Sequence, residues 1–163
     1  MICRIVRLIA GIALMAGLAP MPAWAEFTLS DLVGNWSGSG KYYERPSSAK
    51  MKCRLSFAGD DARVRMTGRC GSSLGAQDLE LDFIREGNRG VVVQSAPGAP
   101  KSKSAIARMA GQMTATMMIA EGVAATESAK FQLEIKPDGT MHFLTQRKDG
   151  TFFSQSTVVL VRR

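Results

Sequence analysis

Met51-Lys52-Cys53-Arg54-Leu55-Ser56-Phe57 and Arg63-Val64-Arg65-Met66-Thr67-Gly68-Arg69-Cys70 decide the fold. In both stretches apolar side chains occupy every second position, with cationic or hydroxyl side chains between them. A period of two describes a strand with one dry face and one wet face. Gly59-Asp60-Asp61 lies between the stretches and supplies a turn, so the two form a hairpin with its loop at residues 60–63. With that four-residue loop the paired positions sum to a constant, and this register keeps all the apolar side chains on one face. It sets Phe57 against Met66, Leu55 against Gly68 and Cys53 against Cys70. Opposed Cβ atoms in such a pair lie about 4.5–5.5 Å apart, close to what a disulfide needs. Apolar alternation and cysteine pairing therefore specify the same register.

The pattern continues outward from this hairpin. Leu79, Leu81 and Phe83 alternate with Asp78, Glu80 and Asp82, and Phe131, Leu133 and Ile135 alternate with Gln132, Glu134 and Lys136. Further strands are expected over residues 91–93, 105–109, 113–119, 141–145 and 152–161. Turn signals stand at Gly71-Ser72-Ser73, Glu86-Gly87-Asn88, Pro97-Gly98, Gly111-Gln112, Glu121-Gly122, Pro137-Asp138-Gly139 and Lys148-Asp149-Gly150. Nine or ten short strands at this spacing make an all-β sandwich or barrel. A short helical turn capped by Thr28 or Ser30 is expected before the first strand.

The N-terminus reads as a secretory signal. Arg4 and Arg7 precede an uncharged apolar run at residues 8–18, Pro20 and Pro22 follow, and Ala23-Trp24-Ala25 fits the small-x-small cleavage pattern. Cleavage after Ala25 leaves residues 26–163 as one domain and places it in the periplasm or outside the cell. The run is short for a bilayer span, and no later stretch is long enough for one. Processing also removes Cys3, leaving Cys53 and Cys70 as an even pair in an oxidising compartment. Lys+Arg drops from 21 by two against 14 Asp+Glu, so the mature charge is about +5. The positive residues are scattered, which fits a solvated face or a mild attraction to anionic lipid, lipopolysaccharide or polysaccharide. With 45% hydrophobic and 21% charged residues the chain is no disordered segment. The exported compartment argues against a nucleic-acid partner.

Leu32-Val33-Gly34-Asn35-Trp36 opens the first strand. This Gly-x-Trp element resembles the start of the lipocalins and the wider calycin group. The resemblance implies an antiparallel up-and-down β-barrel of about eight to ten strands with a ligand cavity at one end. It also implies a closure in which Trp36, behind Gly34, packs on an arginine after the last strand, here Arg162 or Arg163. The longer Gly34-Asn35-Trp36-Ser37-Gly38-Ser39-Gly40 is similar to the opening of nitrobindin-type haem barrels and of secreted bacterial barrels that inhibit proteases. The chain has no second lipocalin motif. Gly38 and Gly40 also suit a strongly coiled strand at a barrel corner.

No cofactor is expected from the residues themselves. His142 is the only histidine, and likeness to the haem barrels would make it the axial ligand. Met66, Met113, Met117, Phe131 and Phe143 are the expected lining of an apolar site, with ordinary core filling as the plain alternative. A thioether copper site is disfavoured because Met117 and Met118 point opposite ways, and no metal site is expected. No Ser stands in a nucleophile-elbow context, and the strand carboxylates mostly alternate outward, so catalysis is not expected. The sequence points to an exported, non-catalytic barrel binding a small apolar or amphipathic ligand. An envelope interaction protein or protease inhibitor acting through its outer face and the loops at 95–104 and 121–128 is the competing reading.

Overall fold

The computed structural model describes residues 27–98 and 106–163. The expected signal segment, its cleavage point and most of the 95–104 loop lie outside the described residues. After a 3-10 turn at Leu29–Leu32 come β1 (Gly34–Glu44), β2 (Ser47–Gly59), β3 (Arg63–Ser72), β4 (Gly75–Glu86) and β5 (Gly90–Ser95). They are followed by β6 (Arg108–Met113), β7 (Met117–Ala124), β8 (Glu127–Ile135), β9 (Met141–Asp149) and β10 (Phe152–Arg162). Each strand pairs antiparallel with its sequence neighbour, and β10 pairs back onto β1. The result is a closed, up-and-down, all-β barrel of ten antiparallel strands, with no free sheet edge.

The β2–β3 register sets Phe57 on Met66, Leu55 on Gly68 and Cys53 on Cys70, and the two cysteines form a disulfide. The turn between them is held by Asp60, whose Oδ1 accepts the N–H of Ala62 at 2.9 Å and of Arg63 at 3.1 Å. This is the local hydrogen bonding that makes aspartate a turn residue.

The second half of the barrel departs from the expected strand limits. Gly111-Gln112 and Glu121-Gly122 are not turns but lie inside β6 and β7; the turns fall at residues 114–116 and 125–126. Gly111 is glycine for closeness of approach. A methyl there would overlap the carbonyl oxygen of Ile119 on β7. The new turn changes the parity of β7. Met113 pairs with Met118, and both are buried, while Met117 pairs with Glu134 on the outer side. Met117 therefore does not line the interior; Met118 takes that place.

One end of the barrel is plugged. Phe27, Leu29 and Leu32 are buried beneath Trp36. Above them the interior is filled by Leu55, Val64, Met66, Met113, Met118, Leu133, Met141, Val158 and Leu160, among others. A chain of rings, Phe57–Phe83–Phe131–Phe143, crosses the middle with centroids 6.1, 5.4 and 5.1 Å apart. Edge-tilted contacts of this spacing are favourable beyond the area they bury. Met66, Met113, Phe131 and Phe143 are thus parts of a packed core.

Candidate functional site

The two ends of the barrel differ in chemistry. At the floor, Trp36 is 2% exposed and donates its indole N–H to the Leu32 carbonyl at 2.7 Å. Arg162, not Arg163, lies over the indole, with its guanidinium carbon 4.8 Å from the ring. Its Nη2 donates to the Asp31 carbonyl at 2.6 Å. The side chain of Arg162 also lies on Gly34, 3.8 Å from where a Cβ would stand. Arg163 turns outward to Ser37 Oγ. The 3-10 turn below is held by Thr28, whose N–H and hydroxyl both donate to the Asp31 carboxylate.

At the opposite end the inward positions turn small and polar. Following β9 from Met141 and Phe143, the same face carries Thr145, Arg147 and Asp149; following β10 back from Leu160 and Val158, it carries Ser156 and Ser154. β1 adds Tyr42 and Glu44, opposite Ser156 and Ser154, and β8 adds Glu127 and Ala129. These groups pair in three neighbouring clusters. The Tyr42 hydroxyl donates to Glu44 Oε2 at 2.5 Å, and the Thr145 and Ser156 hydroxyls share a bond of 2.6 Å. Arg147 Nε donates to Glu127 Oε1 at 2.7 Å, and Arg147 also reaches Asp149 at 3.7 Å. Its guanidinium carbon stands 5.7 Å from the Phe152 ring at the rim. Glu127 is 4% exposed, while the Arg147 side chain keeps about a third of its surface open at the rim. The Tyr42 phenol is pushed up to about 12, first by burial and then by Glu44.

Thus three carboxylates of the described residues (Glu44, Glu127, Asp149) face inward at the mouth, contrary to the expected outward alternation. Phe131, opposite Thr145, roofs the packed core and forms the apolar bottom of this mouth. His142 is on the outer face, opposite Glu134, between inward Met141 and Phe143. It does not point into the barrel. Ile106 and Met109 lean on Gly122, where a methyl would meet both, so the chain entering β6 overhangs the mouth.

On the outside, Asp82 is fully buried between Arg63 at 2.5 Å and Arg65 at 2.9 Å. The hydrogen bond from Arg65 chiefly holds its carboxyl below the usual range, against the opposing effect of burial. Two open clefts, of about 300 and 560 Å³, also lie on the outer face around Arg54, Thr67 and Gly68.

The barrel resembles a phycobiliprotein lyase. The S-type lyase CPES from Guillardia theta superposes with a TM-score of 0.62 at 11% identity, over 83% of this chain and 90% of that one. EF1p2_mFAP2b, solved bound to DFHBI, gives a TM-score of 0.45 at 10% identity, over 83% and 97%. No family model matches the sequence. No curated protein matches it either. The lyase corrects one expectation. A barrel of this fold is named as an enzyme, so the lack of a recognisable triad or acid pair is no ground for calling the chain non-catalytic. Among the described residues no helix is long and apolar enough to cross a membrane.

Proposed function

We propose that the protein binds a small amphipathic molecule at the open end of the barrel. The observation that carries this reading is the gathering of the paired polar groups Tyr42–Glu44, Thr145–Ser156 and Arg147–Glu127. It stands on inward positions above an aromatic core, at the end opposite a plugged floor. A site that fixes orientation needs a few convergent polar groups against an apolar surface. Here Phe152, 37% exposed at the rim, offers the apolar surface. Arg147, Tyr42 and Glu44 offer donors and acceptors to a polar head. Ala129 and Ser154, both half-buried, are the small side chains beside them. The fold likeness to a bilin-protein lyase is in keeping with this placement. Export by a cleaved signal would put the site in the envelope, and the Cys53–Cys70 disulfide is in keeping with that compartment.

The test is binding of the neutral fluorophore Nile red, followed by native mass spectrometry of protein taken directly from cells. The expected result is saturable binding that weakens about tenfold or more in Arg147→Met and Tyr42→Phe while melting stays cooperative. Binding unchanged in both variants, with an empty mass spectrum, would overturn the reading.

A further inference from the structure

Charge on the outside of the barrel is segregated by strand. The outward side chains of β9, β10, β1, β2 and β3 include no carboxylate. The outward acids Asp78, Glu80 and Asp82 sit on β4. Arg63 and Arg65 are occupied by Asp82, and Arg69 reaches Asp78 at 3.6 Å. Lys41, Lys50, Lys52 and Arg54 are exposed and make no ion pair with any described residue. On the other side of β1, Val159 is 42% and Val161 51% exposed. The register aligns these features. Val159 faces Ser39, which faces Lys52; Val161 faces Ser37, which faces Arg54. A row of aliphatic side chains and a row of cations therefore run parallel, separated by a strand bearing serines.

We propose that this face, β10–β1–β2, docks the protein on an anionic phospholipid surface. Three observations fix the partner. The cations have no counter-charge among the described residues, so phosphate headgroups can supply it. Two exposed valines beside them add nothing to binding a soluble polyanion but match the acyl–headgroup boundary. The shape also suits a plane. Successive strands of a closed ten-stranded barrel turn away by about 36°. The short serines on the central strand let the longer side chains of both flanking strands reach one level. Lys50, Lys52 and Arg54 recur every second residue, a spacing of about 7 Å along β2, comparable with neighbouring headgroups. The barrel mouth is left free to take up or release a ligand, but the docking does not depend on that site.

The experiment is co-sedimentation of the protein with vesicles of phosphatidylcholine alone or with about one-third phosphatidylglycerol. The expected result is binding to the anionic vesicles only, lost at high salt. Lys52→Gln with Arg54→Gln should weaken it about 25-fold, at roughly fivefold per charge. Val159→Ser with Val161→Ser should weaken vesicle binding several-fold without affecting retention on soluble polyphosphate. Lys130→Gln with Arg108→Gln, on strands away from this face, is the charge-matched control and should change vesicle binding far less. All variants are checked for an unchanged melting curve. Equal binding to both vesicle types, an equal loss in the control, or polyphosphate binding with no vesicle binding would overturn the proposal.

Discussion

Opening the Cys53–Cys70 bridge tests the reasoning that links register to stability. The bond joins residues 17 apart in sequence across one hairpin. In the chain-entropy account, closing a loop of that length removes about 3 kcal/mol of freedom from the unfolded chain. For a domain of this size that corresponds to a fall of about 10 °C in Tm on reduction. Both cysteines are buried, 2% and 3% exposed, so Cys53→Ala with Cys70→Ala removes core volume as well and should cost about 1 kcal/mol more. Because the effect resides in the unfolded chain, a second quantity must move. The reduced chain expands further on unfolding, so the denaturant m-value should rise. The assay is urea and thermal unfolding of oxidised, reduced and double-alanine protein. A reduced protein melting within 2 °C of the oxidised one, with the same m-value, would refute the argument.

Three other outcomes follow from named contacts. Asp82, held below the usual carboxylate range chiefly by Arg65, stabilises the fold above about pH 4, and this is lost as pH falls through its folded pKa. Asp82→Asn should lower stability at pH 7 by about 1–3 kcal/mol and flatten the acid limb of a urea-midpoint profile; an unaltered limb counts against the Arg63–Asp82–Arg65 clamp. Tyr42, pushed up to about 12, stabilises the fold below pH 10 and ceases to do so as pH rises toward 12. Tyr42→Phe should remove this alkaline decline and a late step in tyrosinate absorbance, and retention of that step would reject the assignment. At the floor, a cycle of Trp36→Phe and Arg162→Met should give a coupling of about 0.5–1 kcal/mol from the guanidinium over the indole. Zero coupling would mean that the two merely adjoin.

The barrel was legible where each side chain has only two environments. From Ala49 to Gly59 on β2 and from Val64 to Cys70 on β3 the inward positions are apolar or glycine and nearly every outward one is polar, so a slip by one residue would bury Lys52 and Arg54. The sequence pattern therefore determined pairing down to the disulfide. On β6 and β7 the same reasoning failed at a glycine. Gly111 looks like a turn signal but is small because β7 approaches too closely for a Cβ. Treating residues 113–119 as one strand then carried the wrong parity into Met117. Two turn positions determined which methionine enters the core, and alternation within a strand cannot report on a turn that interrupts it.

The mouth was missed for a different reason. Thr145-Gln146-Arg147-Lys148-Asp149 is polar throughout, so apolar alternation ends and the strand seems to end with it. Parity does not end: counting by twos from Met141 and Phe143 reaches Thr145, Arg147 and Asp149 on the inner face. That count was the available signal. The physical difference between the ends then supports a role for these residues. Phe27, Leu29, Leu32 and Trp36 close the floor with apolar surface, the more stable way to finish a barrel. At the mouth the Glu127 carboxylate is withdrawn from water while the Arg147 guanidinium stays about one-third exposed, so the desolvation cost falls mainly on Glu127. An apolar closure like that of the floor would avoid this cost, as apolar replacements of a buried pair are often equally or more stable. Binding of a polar head, as proposed, would account for the difference between the two ends, because groups that pair with each other in the closed mouth can turn to a ligand.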